Sequence, residues 1–137
     1  MSRIQGLAHI GIAVRSLAEA LPFWTARMGF RHTDTAELKS MGLRIAFVVA
    51  GDCELELLEP TSPDSTIAKF LDRRGEGIHH LSFSVDDIER ALEEAGAAGL
   101  ELIDRTPRDG SHHTRIAFLH PRAAHGVLVE LCQRRTP

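Results

Sequence analysis

The chain has 137 residues, of which 43% are hydrophobic and 26% are charged, and its formal net charge is −3. This length fits one compact domain or two small fused modules, and the composition excludes a disordered chain. The negative charge argues against a general affinity for nucleic acid, and no apolar run approaches the ~20 residues that would span a bilayer. The start of the chain shows no signal-peptide pattern and the two cysteines lack CxxC spacing, so we expect a reducing, cytoplasmic location.

The first half of the chain predicts a strand, a helix and three further strands. Alternating and β-branched apolar residues indicate a strand over 7–14. Ser16 is a suitable N-cap for a helix over 17–28, and Gly29 is suited to end it because glycine tolerates the left-handed conformation. Strands are then expected at 30–36, 43–50 and 53–59.

The second half predicts the same order of elements after a linker. A first strand begins at His80, and Asp87 caps a helix that ends at Gly99. Three strands are expected near 100–104, 114–119 and 127–133. We therefore divide a single domain, 1–137, into a first module (6–60), a linker with a short helix (61–77) and a second module (78–134).

An internal repeat supports this division. The tetrapeptide that begins at Arg44 recurs identically at Arg115, an offset of 71, and His9 and His80 are separated by the same offset. Glu56 and Glu130 are 74 apart, which places three extra residues in the loop 120–126. The pattern predicts an α+β fold of two tandem βαβββ modules, whose sheets enclose a common cleft that can bind a metal.

Four residues at matched places in the two modules are candidate metal ligands: His9, Glu56, His80 and Glu130. Two imidazoles and two carboxylates suit Co²⁺, Mn²⁺, Ni²⁺, Zn²⁺ or Fe²⁺, and they leave two positions of an octahedron open for a substrate. Alternation alone leaves it open whether these glutamates face a cleft or solvent. The repeat selects His80 rather than His79, and Glu56 rather than Glu54 or Glu59.

The chain resembles the vicinal oxygen chelate superfamily and, more narrowly, the methylmalonyl-CoA epimerase family, over nearly its whole length. The segments that carry the resemblance are His9-Ile10-Gly11-Ile12-Ala13-Val14, Glu56-Leu57-Leu58-Glu59-Pro60, Asp64-Ser65-Thr66-Ile67-Ala68-Lys69-Phe70-Leu71, Gly75-Glu76-Gly77-Ile78-His79-His80, Phe118-Leu119-His120-Pro121 and Gly126-Val127-Leu128-Val129-Glu130-Leu131. The linker helix followed by the double histidine is the most specific of these signals.

The resemblance implies a metal-dependent epimerase that interconverts (2R)- and (2S)-methylmalonyl-CoA through a metal-stabilised enolate. It implies the metal ligands His9, Glu56, His80 and Glu130, with Glu130 also acting as a catalytic base, and Co²⁺ as the preferred ion. It further implies an acyl-CoA thioester as substrate and a homodimer. Some members carry a second base on the third strand of the first module, at the position of Ile45.

The isoleucine at this position leaves the second base open between a metal-bound water, Glu56 and the loop histidines His112 and His113. The alternative functions are another enzyme of the superfamily, such as a glyoxalase I-like lyase or a dioxygenase, and a ligand-binding protein without catalysis. Candidate contacts for the CoA phosphates are the cationic residues Arg44, Lys69, Arg73, Arg74 and Arg115.

Overall fold

The computed structural model describes residues 4–135, which form eight β-strands and three α-helices. The chain divides into two compact units: the first is His9–His79, and the second combines the segment before His9 with the segment from His80 onward. Each predicted module has the expected βαβββ order, so the α+β class is confirmed. No helix within residues 4–135 has the length and apolarity needed to cross a bilayer.

The elements of the first unit are β1 (Ile4–Ala13, which begins in the second unit), α1 (Leu17–Pro22), a π-helix (Phe23–Arg27), β2 (Arg31–Leu38), β3 (Leu43–Ala50), β4 (Cys53–Pro60) and α2 (Thr66–Arg74). The four strands form a sheet in the order β2-β3-β4-β1. Strands β1 and β4 run parallel, and the other neighbouring pairs are antiparallel.

The first helix begins as the sequence predicts but changes its winding halfway. The Ser16 hydroxyl accepts a hydrogen bond from the backbone N–H of Glu19, which confirms the expected N-cap. Pro22 lies inside the predicted helix and has no N–H to donate. The next turn is a π-helix, in which the N–H of Met28 donates to the carbonyl of Phe23.

The two faces of the first sheet are covered differently. Helix α1 packs on one face, where Leu17 meets Ala46 and Leu57. Helix α2 packs on the other face, where Ile67 and Leu71 join a second cluster. His9 and Glu56 belong to this second face, because they alternate with the residues that meet α1.

The elements of the second unit are β5 (Gly77–Val85, which begins in the first unit), α3 (Ile88–Ala97), β6 (Arg108–Asp109), β7 (Thr114–Leu119) and β8 (Val129–Arg134). Its strands form a sheet in the order β5-β8-β7-β6, with β5 parallel to β8. Helix α3 packs on one face, where Ile88 and Leu92 meet Ala117 and Leu131. The opposite face contains Ile116, Phe118 and Cys132.

The strand predicted at 100–104 is wrong. This segment forms one isolated bridge, between Leu102 and Leu119, and the N–H groups of Ile103 and Asp104 both donate to the Phe118 carbonyl. The regular pairing on this edge of β7 is with the short β6. The Asp104 carboxylate accepts a hydrogen bond from the backbone N–H of Phe118 at 2.9 Å. This side-chain contact replaces a backbone hydrogen bond of a strand ladder. Pro107 follows in the chain, and it has no N–H with which to donate such a bond.

The repeat extends to the way each module fixes its helix. In the first unit the Glu59 carboxylate accepts a hydrogen bond from the N–H of Leu17 at 2.8 Å. In the second unit the Gln133 amide oxygen accepts one from the N–H of Ile88, also at 2.8 Å. Glu59 and Gln133 are equivalent across the repeat, so the last strand of each module anchors the first turn of its helix.

Candidate metal centre

His9 and Glu56 form a buried pair in the first unit. The parallel register of β1 and β4 places Gly11 opposite Glu56, and His9 lies two residues earlier on the same face. The imidazole Nδ1 lies 3.1 Å from a carboxylate oxygen, Oε2. Both side chains are more than nine-tenths buried, which strand glutamates and histidines seldom are unless they have partners.

His80 and Glu130 form the equivalent pair in the second unit. The register of β5 and β8 places Ser82 opposite Glu130, and His80 again lies two residues earlier. The imidazole Nε2 lies 3.8 Å from Oε2 of Glu130, and both side chains are 5% exposed. Each unit therefore carries one buried histidine beside one buried glutamate at the same place in a parallel strand pair.

The neighbouring candidates have structural roles instead. His79 is half-buried, and its ring packs edge-on against Phe70 at a centroid distance of 5.0 Å. Glu59 anchors helix α1 and also pairs with Arg44 at 2.9 Å. Glu54 is half-buried. These three neighbours are all more exposed than His9, Glu56, His80 and Glu130.

Burial shifts the pKa of one member of each pair, His9 and Glu130. It lowers the pKa of His9 to about 4, so the imidazole is neutral near pH 7, the form that binds a metal. Burial raises the pKa of Glu130 to about 7, although the Ser82 hydrogen bond and the charge of Arg108 oppose this rise. The donor set of neutral imidazole and carboxylate therefore fits a divalent metal ion, which would replace the proton on Glu130.

Two phenylalanines lie beside the two His–Glu pairs, and the sequence did not identify them as neighbours of the pairs. Phe47 lies opposite Glu56 in the β3–β4 register, and Phe118 lies opposite Glu130 in the β7–β8 register. The rings of His80 and Phe118 meet edge-on at 5.7 Å, and the Arg108 guanidinium lies 5.2 Å from the Phe118 ring. Both phenylalanines end the repeated Arg-Ile-Ala-Phe tetrapeptide, which was the available signal.

A family model of the Glyoxalase/Bleomycin resistance protein/Dioxygenase superfamily matches residues 8–118. The uncharacterised protein YqjC of Bacillus subtilis is 41% identical over 129 residues, 93% of this chain and 91% of that protein. The mitochondrial methylmalonyl-CoA epimerase of Dictyostelium discoideum is 35% identical over 91% of this chain and 76% of its own length. The ethylmalonyl-CoA/methylmalonyl-CoA epimerase of Cereibacter sphaeroides is 33% identical over 93% of this chain and 96% of its own length.

The chain belongs to the methylmalonyl-CoA epimerase family. The solved structures agree. A methylmalonyl-CoA epimerase in complex with methylmalonyl-CoA and NH₄⁺ matches with a TM-score of 0.93 and 35% identity, covering 98% of this chain and 97% of the other. The Mycobacterium tuberculosis methylmalonyl-CoA epimerase matches with a TM-score of 0.94 and 33% identity, covering 99% and 92%. The family's named proteins are isomerases, so the predictions of the family and of an isomerase are confirmed.

Ile45, at the position where some epimerases of the family carry a base, is a core residue in this chain. It lies in β3 opposite Leu58 and is 3% exposed. It belongs to the cluster that includes Ile67 and Leu71 of helix α2. A hydrocarbon side chain has no proton to exchange, so any second base of this epimerase-family chain lies elsewhere.

We expect Ile45→Ala to lower the free energy of unfolding by ~3 kcal/mol, because it leaves a cavity beneath helix α2. The milder Ile45→Val should lower it by about 1 kcal/mol. Urea unfolding followed by circular dichroism measures both changes. Equal stability of all three proteins would contradict the packing role of Ile45.

The cationic candidates for CoA contacts differ in their partners. Arg44 pairs with Glu37 at 3.0 Å and with Glu59 at 2.9 Å. Arg115 pairs with Glu89 at 2.8 Å. Lys69, Arg73 and Arg74 are exposed on helix α2, and the Arg74 guanidinium lies 6.0 Å from the Phe70 ring.

The loop histidines lie in turns. His112 and His113 have positive φ angles of 52° and 58°, and His125 has a φ of 54°. The repeat aligns His113 with Gly42, whose φ is 64°, so the second copy uses a histidine where the first uses glycine. Both His112 and His113 are exposed, unlike the buried His9 and His80.

The raised pKa of Glu130 predicts that the metal-free protein loses stability as the pH rises. The unfolded carboxyl loses its proton near pH 4.5, whereas the folded one keeps it until about pH 7. The stability that Glu130 contributes is therefore full below pH 4.5 and is lost as the pH rises through 7. We expect Glu130→Gln to become more stable than the parent protein over this window, by up to about 3 kcal/mol.

Urea unfolding in excess chelator, from pH 4.5 to 8, measures this difference. The comparison cancels the opposite effect of His9, whose lowered pKa favours folding at higher pH and is present in both proteins. A stability difference that does not change with pH would contradict the burial of an ionisable Glu130.

Proposed function

We propose that this chain is a metal-dependent epimerase that interconverts (2R)- and (2S)-methylmalonyl-CoA by moving the α-proton. The observation that carries the proposal is the repeated pair: each unit holds a buried histidine beside a buried glutamate at the same register of a parallel strand pair. This arrangement occurs in a chain whose named relatives are methylmalonyl-CoA epimerases over nearly its full length.

We propose that the two pairs together bind one divalent ion, with ligands from His9, Glu56, His80 and Glu130. All four side chains are buried, and their nitrogen and oxygen donors suit a first-row divalent metal. When bound, such an ion stabilises the negative charge that develops on the thioester carbonyl oxygen after the α-proton leaves. Co²⁺ is the ion that the family resemblance favours, and cysteine plays no part in the proposed ligand set.

Glu130 is the proposed base on one side of the α-carbon. In the absence of metal, burial raises the pKa of this carboxyl to about 7, so its environment favours uptake of a proton more than water does. The hydroxyl of Ser82 donates to Oε1, and Oε2 is the oxygen on the side of His80.

Inversion through a planar enolate is most simply achieved by two bases, one on each side of the α-carbon. Glu56 and Glu130 are the two buried carboxylates within residues 4–135. We assign the second base to Glu56, which is buried beside a neutral imidazole, in preference to the exposed His112 and His113. The acyl-CoA substrate, the homodimer and the cytoplasmic location belong to the same proposal.

The test is to incubate metal-loaded protein with the (2S) epimer of methylmalonyl-CoA and to measure both epimers by chiral chromatography. We expect the mixture to approach equal amounts, because the epimers differ only at the α-carbon. Parallel incubations with ethylmalonyl-CoA, with a glutathione hemithioacetal and with a catechol under oxygen distinguish related chemistries. An unchanged epimer together with consumption of the hemithioacetal or the catechol would replace this function with that of a lyase or a dioxygenase.

A further inference from the structure

The hydroxyl of Ser82 forms a buried contact that the proposed chemistry does not by itself require. Ser82 is 0% exposed and lies directly opposite Glu130 in the β5–β8 register. Its Oγ donates a hydrogen bond to Oε1 of Glu130 at 2.6 Å. This distance is short for a hydroxyl donor and is typical of a charge-assisted hydrogen bond to a carboxylate.

The contact distinguishes the two oxygens of one carboxylate. Oε1 accepts from Ser82, whereas Oε2 is the oxygen on the side of His80, 3.8 Å from its Nε2. A carboxylate held at one oxygen cannot rotate freely about its last bond, so the other oxygen keeps its direction. Groups that hold a metal ligand in this way contribute to metal affinity without touching the ion.

The first unit lacks an equivalent of this hydroxyl. The repeat offset of 71 aligns Ser82 with Gly11, which lies opposite Glu56 and has no side chain. Glu56 instead has the Nδ1 of His9 at 3.1 Å, closer than His80 is to Glu130. The two carboxylates are thus held by different groups, although the sheet registers around them are the same.

We infer that Ser82 is a positioning residue, which orients the Glu130 carboxylate so that Oε2 faces the metal and the substrate. The inference rests on the proposed function, since it takes Glu130 as a ligand and a base. Gly11, not a serine, lies opposite Glu56. We therefore expect loss of the Ser82 hydroxyl to change the orientation of the Glu130 carboxylate and to leave that of Glu56 unchanged.

The test compares Ser82→Ala with Ser84→Ala. Ser84 lies on the same strand and the same face but opposite Cys132, so it is a matched loss of one hydroxyl away from Glu130. Affinity for Co²⁺, measured by competition with a chelating dye, should fall 10- to 100-fold in Ser82→Ala and stay within about twofold of the parent in Ser84→Ala. A Ser82→Cys variant, which keeps a weak donor of similar shape, should lie between them.

The epimerase assay adds a second readout. We expect Ser82→Ala at saturating Co²⁺ to lower kcat about 10-fold with little change in KM, because a misdirected base affects the proton transfer more than substrate binding. Equal Co²⁺ affinity and kcat in Ser82→Ala and Ser84→Ala would overturn the positioning role. Failure of the parent protein itself to bind Co²⁺ would instead overturn the proposed metal site, so the two failures are distinguishable.

Discussion

The Glu130→Gln variant is expected to fold normally and to lose α-proton transfer by about 10³-fold or more, since it removes a base and a ligand together. Glutamine has nearly the same shape, and its amide oxygen can still accept the Ser82 hydrogen bond, so the buried strand pair should be retained. The assay is conversion of one methylmalonyl-CoA epimer at saturating Co²⁺. Thermal unfolding monitors the fold.

Glu54→Gln is the matched control for this experiment. Glu54 is also a strand glutamate, two residues from Glu56, but it is half-buried and lies outside the proposed ligand set. Its substitution should leave the turnover within about threefold of the parent. Retention of more than a tenth of the activity in Glu130→Gln would contradict the role of Glu130 as a base.

Metal removal is expected to have the second large effect. Dialysis against a chelator should reduce epimerisation to the background rate, and addition of Co²⁺ should restore it. Metal at 100 times its dissociation constant stabilises a folded protein by about 2.7 kcal/mol, which corresponds to a rise in Tm of about 9 °C for a domain of this size. Full activity after verified removal of bound metal would contradict a metal-dependent mechanism.

The pH dependence of metal binding provides a further check on this account. Glu130 holds its proton up to about pH 7 in the absence of metal, so binding has to displace that proton at lower pH. Affinity for Co²⁺ should therefore weaken about tenfold per pH unit as the pH falls below 7. His9 should add no further dependence in this range, because its lowered pKa keeps the imidazole neutral down to about pH 4.

The repeat explains why much of the fold could be predicted from the sequence. Short apolar runs marked β3 and β7, whose bounds agree with the expected 43–50 and 114–119. Ser16 and Asp87 cap their helices as expected, because each hydroxyl or carboxylate accepts a backbone N–H three residues later. These features depend on local chemistry, which a single sequence contains.

The pairing of each histidine with its glutamate was also predictable, because it follows from the internal repeat of the two modules. Partner residues in parallel strands can be aligned once the strands are identified, and a histidine two residues before the pairing position shares a face with the glutamate. That all four side chains bind one ion is still a prediction from the resemblance.

The features that sequence analysis missed depend on contacts between distant segments. The segment 100–104 is apolar enough for a strand, but the Asp104 carboxylate accepts the N–H of Phe118, and the regular pairing on this edge of β7 is with β6. The role of Ser82 depends on its register opposite Glu130, 48 residues away, and a serine within an apolar strand gives no signal of it. Tertiary geometry decides both cases.

Proton exchange at the α-carbon tests the central claim most directly. Metal-loaded protein is incubated with methylmalonyl-CoA in D₂O, and the α-proton is followed by ¹H NMR beside chelated protein and the Glu130→Gln variant. We predict that the α-proton signal disappears with the loaded parent protein and persists in both controls, at a rate difference of about 10³-fold or more. Persistence of the α-proton with fully loaded parent protein, or equal loss in the chelated control, would contradict metal-dependent α-proton transfer.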